Sequence, residues 1–339
     1  MRGMTPVLYA IFVIAGSACH PTPQTTPTIT AWQAAPPLII ARSSGCAVAD
    51  GTHLYVLGGG WTDAATALTS VEVAVIGAEG RPDGWRLTAR MTTPRVFPAC
   101  VALNGYLYAI GGERFSALEP MLLNSVERAP ILPDGDLGLW EPVTPLTTPR
   151  RAPAAIAADD MIYVIGGYNG SFLSTTERAR LRSDNTPGPW ETLTARTTIP
   201  RYIHAAARDG HAIYLLGGHD ETTGMATART EWARILPDGE LTPWTAGPLL
   251  QSPRFMAAAA VIDHHLLLFG GSTGRQIVET AEIASIRSTG ALNPFASFGA
   301  PAAARSGAAI AASGRTVYLI GGLLQNQATQ TVEYTTLNQ

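Results

Sequence analysis

The chain has 339 residues, of which 46% are hydrophobic and 14% charged, with 34 glycines, 25 prolines and a formal net charge of −3. The charged fraction lies well below the roughly 25% of an ordinary soluble domain, whereas the apolar fraction is ordinary, so a folded core is expected. The glycines and prolines are spread along the chain and exclude long helices and coiled coils. All 23 basic residues are arginine, which excludes lysine Schiff-base chemistry and a Walker-type phosphate loop. A negative chain without basic runs also argues against nucleic acid as a partner.

The N-terminus carries an export signal. Arg2 precedes an apolar run at residues 6–15 (PVLYAIFVIA), which has the length of a signal-peptide core and is too short to span a bilayer. The run ends in Gly16-Ser17-Ala18-Cys19. This resembles the lipobox of bacterial lipoproteins, in which the cysteine is diacylated and becomes the mature N-terminus, although Gly16 stands where leucine is usual. We therefore expect a signal peptide at 1–18 and lipidation of Cys19. The alternative is a plain secretory signal cut nearby, with Cys19 an ordinary thiol.

Residues 19–28 are rich in proline and threonine. Such a composition favours an extended, solvated tether. A tether of this kind would hold residues 29–339 clear of a membrane surface. The expected location is a bacterial membrane, either the outer membrane facing the periplasm or the cell surface.

Residues 29–339 contain a six-fold internal repeat. A double glycine after a strand-like apolar run recurs at steps of 53, 55, 51, 53 and 51 residues. The six pairs are Gly58-Gly59, Gly111-Gly112, Gly166-Gly167, Gly217-Gly218, Gly270-Gly271 and Gly321-Gly322. An arginine lies 16 residues before each pair, namely Arg42, Arg95, Arg150, Arg201, Arg254 and Arg305. A glutamate follows each pair, namely Glu72, Glu127, Glu177, Glu231, Glu282 and Glu333. Nearly all the length variation lies between the glycine pair and the glutamate, which indicates a loop there.

Each of the first five glutamates is followed 13 residues later by an aromatic residue, in turn Trp85, Trp140, Trp190, Trp244 and Phe295. This arrangement resembles the kelch repeat, which builds one four-stranded blade of a β-propeller. The resemblance implies an all-β fold, a six-bladed β-propeller of four-stranded antiparallel blades. The local sequence agrees, because Asp50-Gly51 and Asn104-Gly105 are typical of two-residue hairpin turns between strands.

The last repeat lacks its own fourth strand, since the chain ends six residues after Glu333. Trp32, however, lies ten residues before Arg42, the spacing that the other aromatic residues keep to their next arginine. We therefore expect an N-terminal strand to close the ring in the last blade.

The repeated arginines and glutamates have two interpretations. Six arginines entering six inner strands suggest an anion-binding ring. The equal number of arginines and glutamates at one sheet edge instead suggests a repeated charge-assisted pair that joins strands or blades. We interpret all twelve as structural.

Candidate ligand-binding residues lie in the variable loops. The loops after each glycine pair and before each arginine emerge on one face, the loop face, whereas tight turns leave little room for a site on the opposite face. The candidates are Trp61, Glu113, Arg114, Tyr168, His219, Asp220, Glu221 and Arg275. Together they suit a sugar or a peptide at the mouth of the axis.

No metal or cofactor is predicted. His204, His219, His264 and His265 are not spaced to converge on one ion. Cys46 and Cys100 occupy neighbouring blades in an exported protein, so a disulfide is allowed. Face-to-face sheets are about 10 Å apart, wider than a disulfide tolerates except near the axis. Bridge and buried free thiols both remain open.

The expected function is that of a monomeric, membrane-anchored module that binds a protein or a glycan through its loop face. The alternative is a sugar-active enzyme, mutarotase- or epimerase-like, with an acid–base site at the axial mouth. Glu113, Arg114, His219 and Glu221 are the candidates for that role. An enzyme should gather ionisable groups in one axial pocket, whereas a binding module should present aromatic anchors without such a cluster.

Overall fold

The computed structural model describes residues 27–60, 67–115, 119–222 and 224–338. Over these ranges, six antiparallel sheets follow one another around a central axis in chain order, and the innermost strands of neighbouring sheets are in contact around the whole ring. The chain is therefore a six-bladed β-propeller, and the predicted all-β class, blade number and blade architecture are confirmed.

The blades are numbered 1 to 6 along the chain. Their innermost strands are Cys46–Ala49, Ala99–Leu103, Ala154–Ala158, Ala205–Asp209, Ala258–Ile262 and Ala309–Ser313. Their second strands are His53–Leu57, Tyr106–Ile110, Met161–Ile165, Ala212–Leu216, His265–Phe269 and Thr316–Ile320. Their third strands are Val71–Val75, Val126–Pro130, Thr176–Arg180, Thr230–Arg234, Ala281–Ser285 and Val332–Asn338. The fourth strands of blades 1 to 5 are Arg86–Leu87, Glu141–Val143, Glu191–Thr192, Thr245–Ala246 and Ala296–Phe298.

Short additional elements decorate this frame. Blade 1 has a 3-10 turn at Ala78–Gly80. Three two-stranded sheets lie on the loop face among the described residues. Two pair strands that are neighbours in the chain, Glu113–Phe115 with Pro120–Leu122 and Leu323–Leu324 with Gln327–Ala328. The third pairs Arg201–Tyr202 with His219–Asp220, which flank the first two strands of blade 4. None of the helices among the described residues has the length and apolarity that a membrane crossing requires.

The N-terminus closes the ring as predicted. Thr28–Ile29 and Gln33–Ala34 both pair with the C-terminal strand Val332–Asn338. Between them, Trp32 packs edge-on against Phe269 of blade 5, with ring centroids 5.2 Å apart. Both ends of the chain are thus held in blade 6.

The core lies between the blades, where the second strands are almost fully buried. A tyrosine from this strand donates its hydroxyl to a backbone carbonyl in the turn before the next blade's fourth strand. The pairs are Tyr55 with Gly135, Tyr108 with Asn185, Tyr163 with Gly239, Tyr214 with Gly290 and Tyr318 with Gly80. In blade 5 the corresponding residue is Leu267, which has no hydroxyl. The hydrogen bonds fix the angle between blades, because each joins a buried side chain to its neighbour's backbone.

Cys46 and Cys100 form a disulfide, with their Cα atoms 6.0 Å apart. It joins the innermost strands of blades 1 and 2. The blades converge at the axis, so the sheets approach more closely there than elsewhere, and this resolves the two alternatives in favour of the bridge.

Candidate ligand-binding face

Each blade buries its repeat arginine against its repeat glutamate. Arg95, for example, lies 3.0 Å from Glu127, and both side chains are buried. The six pairs are Arg42–Glu72, Arg95–Glu127, Arg150–Glu177, Arg201–Glu231, Arg254–Glu282 and Arg305–Glu333. Burial lowers the pKa of each arginine, and the paired glutamate acts in the opposite direction.

These pairs also satisfy backbone groups. Arg95 donates to the carbonyls of Gly111 and Ser125 at 2.7 and 2.9 Å. Glu127 accepts from the backbone of Thr92 and Thr93 at 2.7 and 3.3 Å. The pair therefore joins three segments of one blade, and neither partner is presented to solvent as a ligand-binding group.

The glycine pairs allow the next blade to approach. At Gly58, φ is +61°, and a Cβ atom would lie 2.6 Å from the carbonyl oxygen of Arg95. Gly59 donates to that same carbonyl at 2.8 Å. The remaining five pairs make the same contact with the next arginine around the ring. The contact requires glycine because any side chain would overlap the neighbouring backbone.

A closed ring of backbone hydrogen bonds surrounds the axis on the loop face. Its members stand two residues after each repeat arginine, and we call them the axial ring: Ser44, Phe97, Ala152, Ile203, Met256 and Gly307. Each amide donates to the carbonyl of the equivalent residue in the preceding blade, at 2.8 to 3.2 Å, and the amide of Ser44 closes the circle on Gly307. All six have positive φ, from 48° to 61°. This conformation is costly for a β-branched residue such as Ile203, so the ring contacts must offset the strain.

Above the axial ring, six short backbone bridges join the residue after each arginine to the residue after each glycine pair. In blades 3 to 5, four of the six bridge positions and one loop residue form an aromatic cluster of Tyr168, Phe172, Tyr202, His219 and Phe255. Neighbouring ring centroids within the cluster lie 5.1 to 5.9 Å apart. The five side chains are partly exposed. In blades 6 and 1 the same bridge positions hold Ser43, Gly60, Ser306 and Leu323, so the aromatic wall occupies one side of the mouth.

Arg151 and its partner Glu113 border the aromatic cluster. The guanidinium of Arg151 lies 5.1 and 5.6 Å from the ring centroids of Tyr168 and Tyr202. The same group forms a 2.8 Å ion pair with the buried carboxylate of Glu113 in blade 2. His219 is held by the hydroxyl of Tyr202 at 3.2 Å and by the carbonyl of Gly224 at 2.8 Å.

The structure brings together some of the predicted site residues. Tyr168 and His219 belong to the aromatic cluster, and Glu113 reaches it through Arg151. Arg114 lies instead on the sulfur of Met121, within its own hairpin. Asp220 is buried beside the cluster in the strand His219–Asp220. Glu221 and Arg275 are exposed on the rim in separate loops, and Trp61 lies outside the described residues, as does Cys19.

Four members of this face were missed from sequence: Arg151, Phe172, Tyr202 and Phe255. A signal did exist for three of them. Arg151, Tyr202 and Phe255 each directly follow a repeat arginine, in three consecutive blades. The side chains at these positions vary between blades, so the repeat pattern itself does not mark them.

An axial cavity of about 510 Å³, open to solvent, lies among the six innermost strands. It is lined by the innermost strands of all six blades, mainly by alanines. It extends from His204, just inside the axial ring, to Arg208. A smaller space of about 120 Å³ lies at the ring itself and is also lined by His204.

The opposite face offers more room than we expected from its tight turns. A cleft of about 210 Å³ lies between blades 4 and 5, lined by Asp209, Arg234, His264 and Arg287 among others. The imidazole of His264 donates to the carboxylate of Asp209 at 2.7 Å, and this hydrogen bond raises the pKa of His264. Over the ranges described above, His, Cys, Asp and Glu nowhere form a group of three that could hold a metal ion.

Comparisons with known proteins agree with this architecture. The family model of the Kelch motif matches residues 149–178, which span blade 3 from before its arginine to its glutamate. Human Kelch-like protein 33 (Homo sapiens) is 30% identical over 127 residues, which make up 38% of this chain and 22% of that protein. The match thus spans about a fifth of the length of that relative. The solved structure of YjhT superposes with a TM-score of 0.71 at 14% identity, covering 90% of this chain and 99% of that one. That likeness shows a shared fold.

Proposed function

Because this chain is a six-bladed β-propeller of kelch repeats, we propose that it is an exported binding module. In this proposal a lipid on Cys19 anchors it to a bacterial membrane, and its loop face recognises another protein. The single observation that carries the proposal is the aromatic cluster on blades 3 to 5.

The cluster has the character of a binding hot spot. Aromatic and arginine side chains dominate the energy of protein interfaces when they lie together at a partly exposed centre. Tyr168, Tyr202 and Phe255 lie on a rigid ring of backbone bridges rather than on long loops. A partner would therefore meet preorganised anchors and would lose little conformational entropy in ordering them.

The geometry favours a protein over a glycan. A sugar ring stacks on an exposed aromatic face, but here the faces are occupied by neighbouring side chains. Phe172 meets Tyr168 and Tyr202 nearly edge to face, at interplanar angles of 90° and 80°. Arg151 lies over the faces of both tyrosines. The exposed ring edges, the guanidinium and the backbone suit a mixed apolar and polar protein surface.

A sugar-active enzyme is less well supported. Among the described residues, His204 and Arg208 are the only ones with ionisable side chains that line the axial cavity, since both of its cysteines are in the disulfide. Burial, with a smaller effect of Arg201, lowers the pKa of His204 to about 3. A histidine with that pKa is a poor general base near neutral pH, and no second group in the cavity complements it.

Export has two supports in the chain. The lipobox-like sequence ends at Cys19. The Cys46–Cys100 disulfide suits an oxidising compartment outside the cytoplasm.

The test is affinity capture from envelope extracts of the source organism, in parallel with a glycan array. Wild-type protein is compared with the double variant Tyr202→Ala/Phe255→Ala. The matched control is Tyr106→Ala, because Tyr106 is also partly exposed and lies under an arginine, Arg128 at 4.5 Å, but near the opposite face.

We expect one protein to be captured by the wild type and by Tyr106→Ala. The double variant should lose about 1000-fold in affinity, as expected for two hot-spot residues at about 2 kcal/mol each. A glycan hit without any protein partner would contradict the proposal, as would equal capture by the double variant.

A further inference from the structure

We propose that the cleft between blades 4 and 5, on the face opposite the loop face, binds a small, doubly charged oxyanion between the guanidinium groups of Arg234 and Arg287. The cleft has a volume of about 210 Å³. Its lining includes Tyr214, whose hydroxyl donates to the carbonyl of Gly290 across the gap between the two blades at 2.8 Å. This site is separate from the aromatic cluster, and it goes beyond the proposed protein-binding function.

Arg234 lacks the acidic partner that the equivalent arginine has in blade 3. Arg180, the last residue of the third strand of blade 3, forms an ion pair with Asp160 at 2.6 Å. Arg234 is the last residue of the third strand of blade 4, but His211 stands where blade 3 has Asp160. The guanidinium of Arg234 donates instead to the backbone carbonyl of Thr289 at 3.5 Å, and it pairs with no carboxylate among the described residues.

Arg287 lies in a turn that also lacks an acidic residue. In blades 1 to 4, an acidic residue directly precedes the residue whose carbonyl accepts the tyrosine hydroxyl, namely Glu79, Asp134, Asp184 and Asp238. In blade 5 this position is Thr289. The guanidinium of Arg287 donates to the neutral amide of Asn293 at 2.6 Å, and no carboxylate of the described ranges pairs with it. Two exposed arginines without acidic partners thus line one cleft.

The one carboxylate that lines the cleft, within the described ranges, already has a partner. Asp209 accepts the 2.7 Å hydrogen bond from the imidazole of His264, which raises the pKa of His264. Asp263, next to His264 in the chain, pairs with Arg315 at 3.2 Å. His211 also lines the cleft and adds a positive charge when it is protonated. Two arginines against one aspartate leave the cleft net positive, and more so when His264 is protonated.

The donors of the cleft match an oxyanion. A guanidinium presents parallel N–H groups that fit the oxygen atoms of a carboxylate or a phosphate. Because Arg234 comes from blade 4 and Arg287 from blade 5, the two can contact different oxygen atoms of one anion. The hydroxyl of Ser288, which also lines the cleft, adds a neutral donor. Two positive groups favour a dianion over a monoanion or a neutral molecule, since each negative charge then has a partner.

The test is isothermal titration calorimetry of the full-length protein at low ionic strength, because salt screens exposed charges. The probes are inorganic phosphate and succinate at slightly alkaline pH, where both are doubly charged. Acetate is the monoanionic comparison and glycerol the neutral one. We expect saturable binding of phosphate, succinate or both, weaker binding of acetate and no binding of glycerol. Binding of phosphate alone would identify a compact tetrahedral anion as the ligand, and binding of succinate alone an extended dicarboxylate.

Arg234→Met and Arg287→Met should each weaken binding of the dianion by at least about tenfold, the effect of losing one charge-assisted hydrogen-bonding group. Both variants should melt like the wild type, because both side chains are exposed. The matched control is Arg180→Met, which removes one exposed positive charge at the equivalent position of blade 3 and should leave the affinity unchanged.

Two results would overturn the proposal. One is that neither phosphate nor succinate binds saturably. The other is that Arg180→Met weakens binding as much as Arg234→Met and Arg287→Met, because binding would then follow the overall charge of the protein and not the arginines of this cleft.

Discussion

The most regular residues of this protein are those that hold it together. Each buried arginine is matched by a glutamate of its own blade, and its backbone carbonyl meets the glycine pair of the preceding blade. A buried ion pair of this kind adds little folding stability compared with an apolar pair of the same shape. Removing one partner, however, leaves an uncompensated buried charge and lowers the stability strongly. The regular recurrence of these buried pairs therefore indicates that they stabilise the blades and do not bind a ligand.

The first prediction concerns Arg150, which pairs with Glu177 in blade 3. Arg150→Met should lower the free energy of unfolding by about 3–5 kcal/mol, because Glu177 is left charged and buried. Arg150→Met/Glu177→Leu should recover part of this loss. The measurement is urea denaturation followed by fluorescence.

Arg180→Met is the matched control in the same blade, since Arg180 and Asp160 form an ion pair with side chains 55% and 44% exposed. It should change stability by less than about 1 kcal/mol. If Arg150→Met were as mild as this control, the structural role of the pair would be wrong.

A second prediction concerns the pH dependence caused by His204. Its pKa is lowered to about 3 in the folded protein and is about 6.5 in the unfolded chain. Below pH 6.5 the unfolded state therefore binds a proton that the native state does not, and stability falls as the pH falls.

His204→Ala removes this effect. Between pH 6.5 and pH 5, the difference in unfolding free energy between variant and wild type should move by about 2 kcal/mol in favour of the variant. The other six histidines are common to both proteins and cancel in the comparison. Parallel pH profiles of the two proteins would contradict the burial of His204.

At the scale of elements, the critical contact is the one between the two ends of the chain. Thr28–Ile29 and Gln33–Ala34 supply the only strands that cover the outer edge of Val332–Asn338 within the part of the chain that the structure describes. Without them, the last blade would end in an unpaired edge, and closure of the ring would depend on the axial ring and the other contacts between blades 6 and 1.

The third prediction follows from this closure. A protein that begins at residue 35 should melt far below one that begins at Pro27, because it loses both strand pairs and the contact of Trp32 with Phe269. The two are compared by differential scanning calorimetry. Equal melting temperatures would show that the terminal strands do not close the ring.

The hairpins and bridges of the loop face carry the variation that the framework does not. Positions adjacent to the arginines and glycine pairs keep the same backbone bridge in all six blades but change their side chains from serine to tyrosine. This separation of fixed backbone from variable side chain is how a repeat fold builds a specific surface.

At the scale of the whole molecule, the axial ring and the disulfide hold six blades around one narrow cavity. The loop face then lies on one side of the ring, and the described part of the chain begins in blade 6. A preorganised face of this kind is what the proposed binding function requires.

The fourth prediction tests the proposed anchor. Wild-type protein expressed in its source organism should incorporate labelled palmitate and fractionate with membranes, whereas Cys19→Ser should do neither. Ser17→Ala is the control, because alanine is also a small residue and should preserve processing. Label retained by Cys19→Ser, or absent from the wild type, would disprove lipidation at this residue.

Much of the fold was predictable because the repeat is a local property. The spacing of the arginine, the glycine pair, the glutamate and the aromatic residue reflects one blade's own strands and turns, and six copies reinforce one another. Even the closure of the ring followed from the position of Trp32. The binding face was predicted less well: Tyr168 and His219 were found, but Tyr202 and Phe255 were not, because being adjacent to a framework arginine is not by itself a sign of exposure.

The sequence by itself determined the six blades, their strand order and the twelve buried charges, since each of these is set within about 50 residues of chain. Only the tertiary structure decided the aromatic cluster, the axial ring, the disulfide and the partnerless nitrogens of His204. Each depends on how closely neighbouring blades converge at the axis. That distance results from the packing of whole sheets and is not written in the spacing of any one repeat.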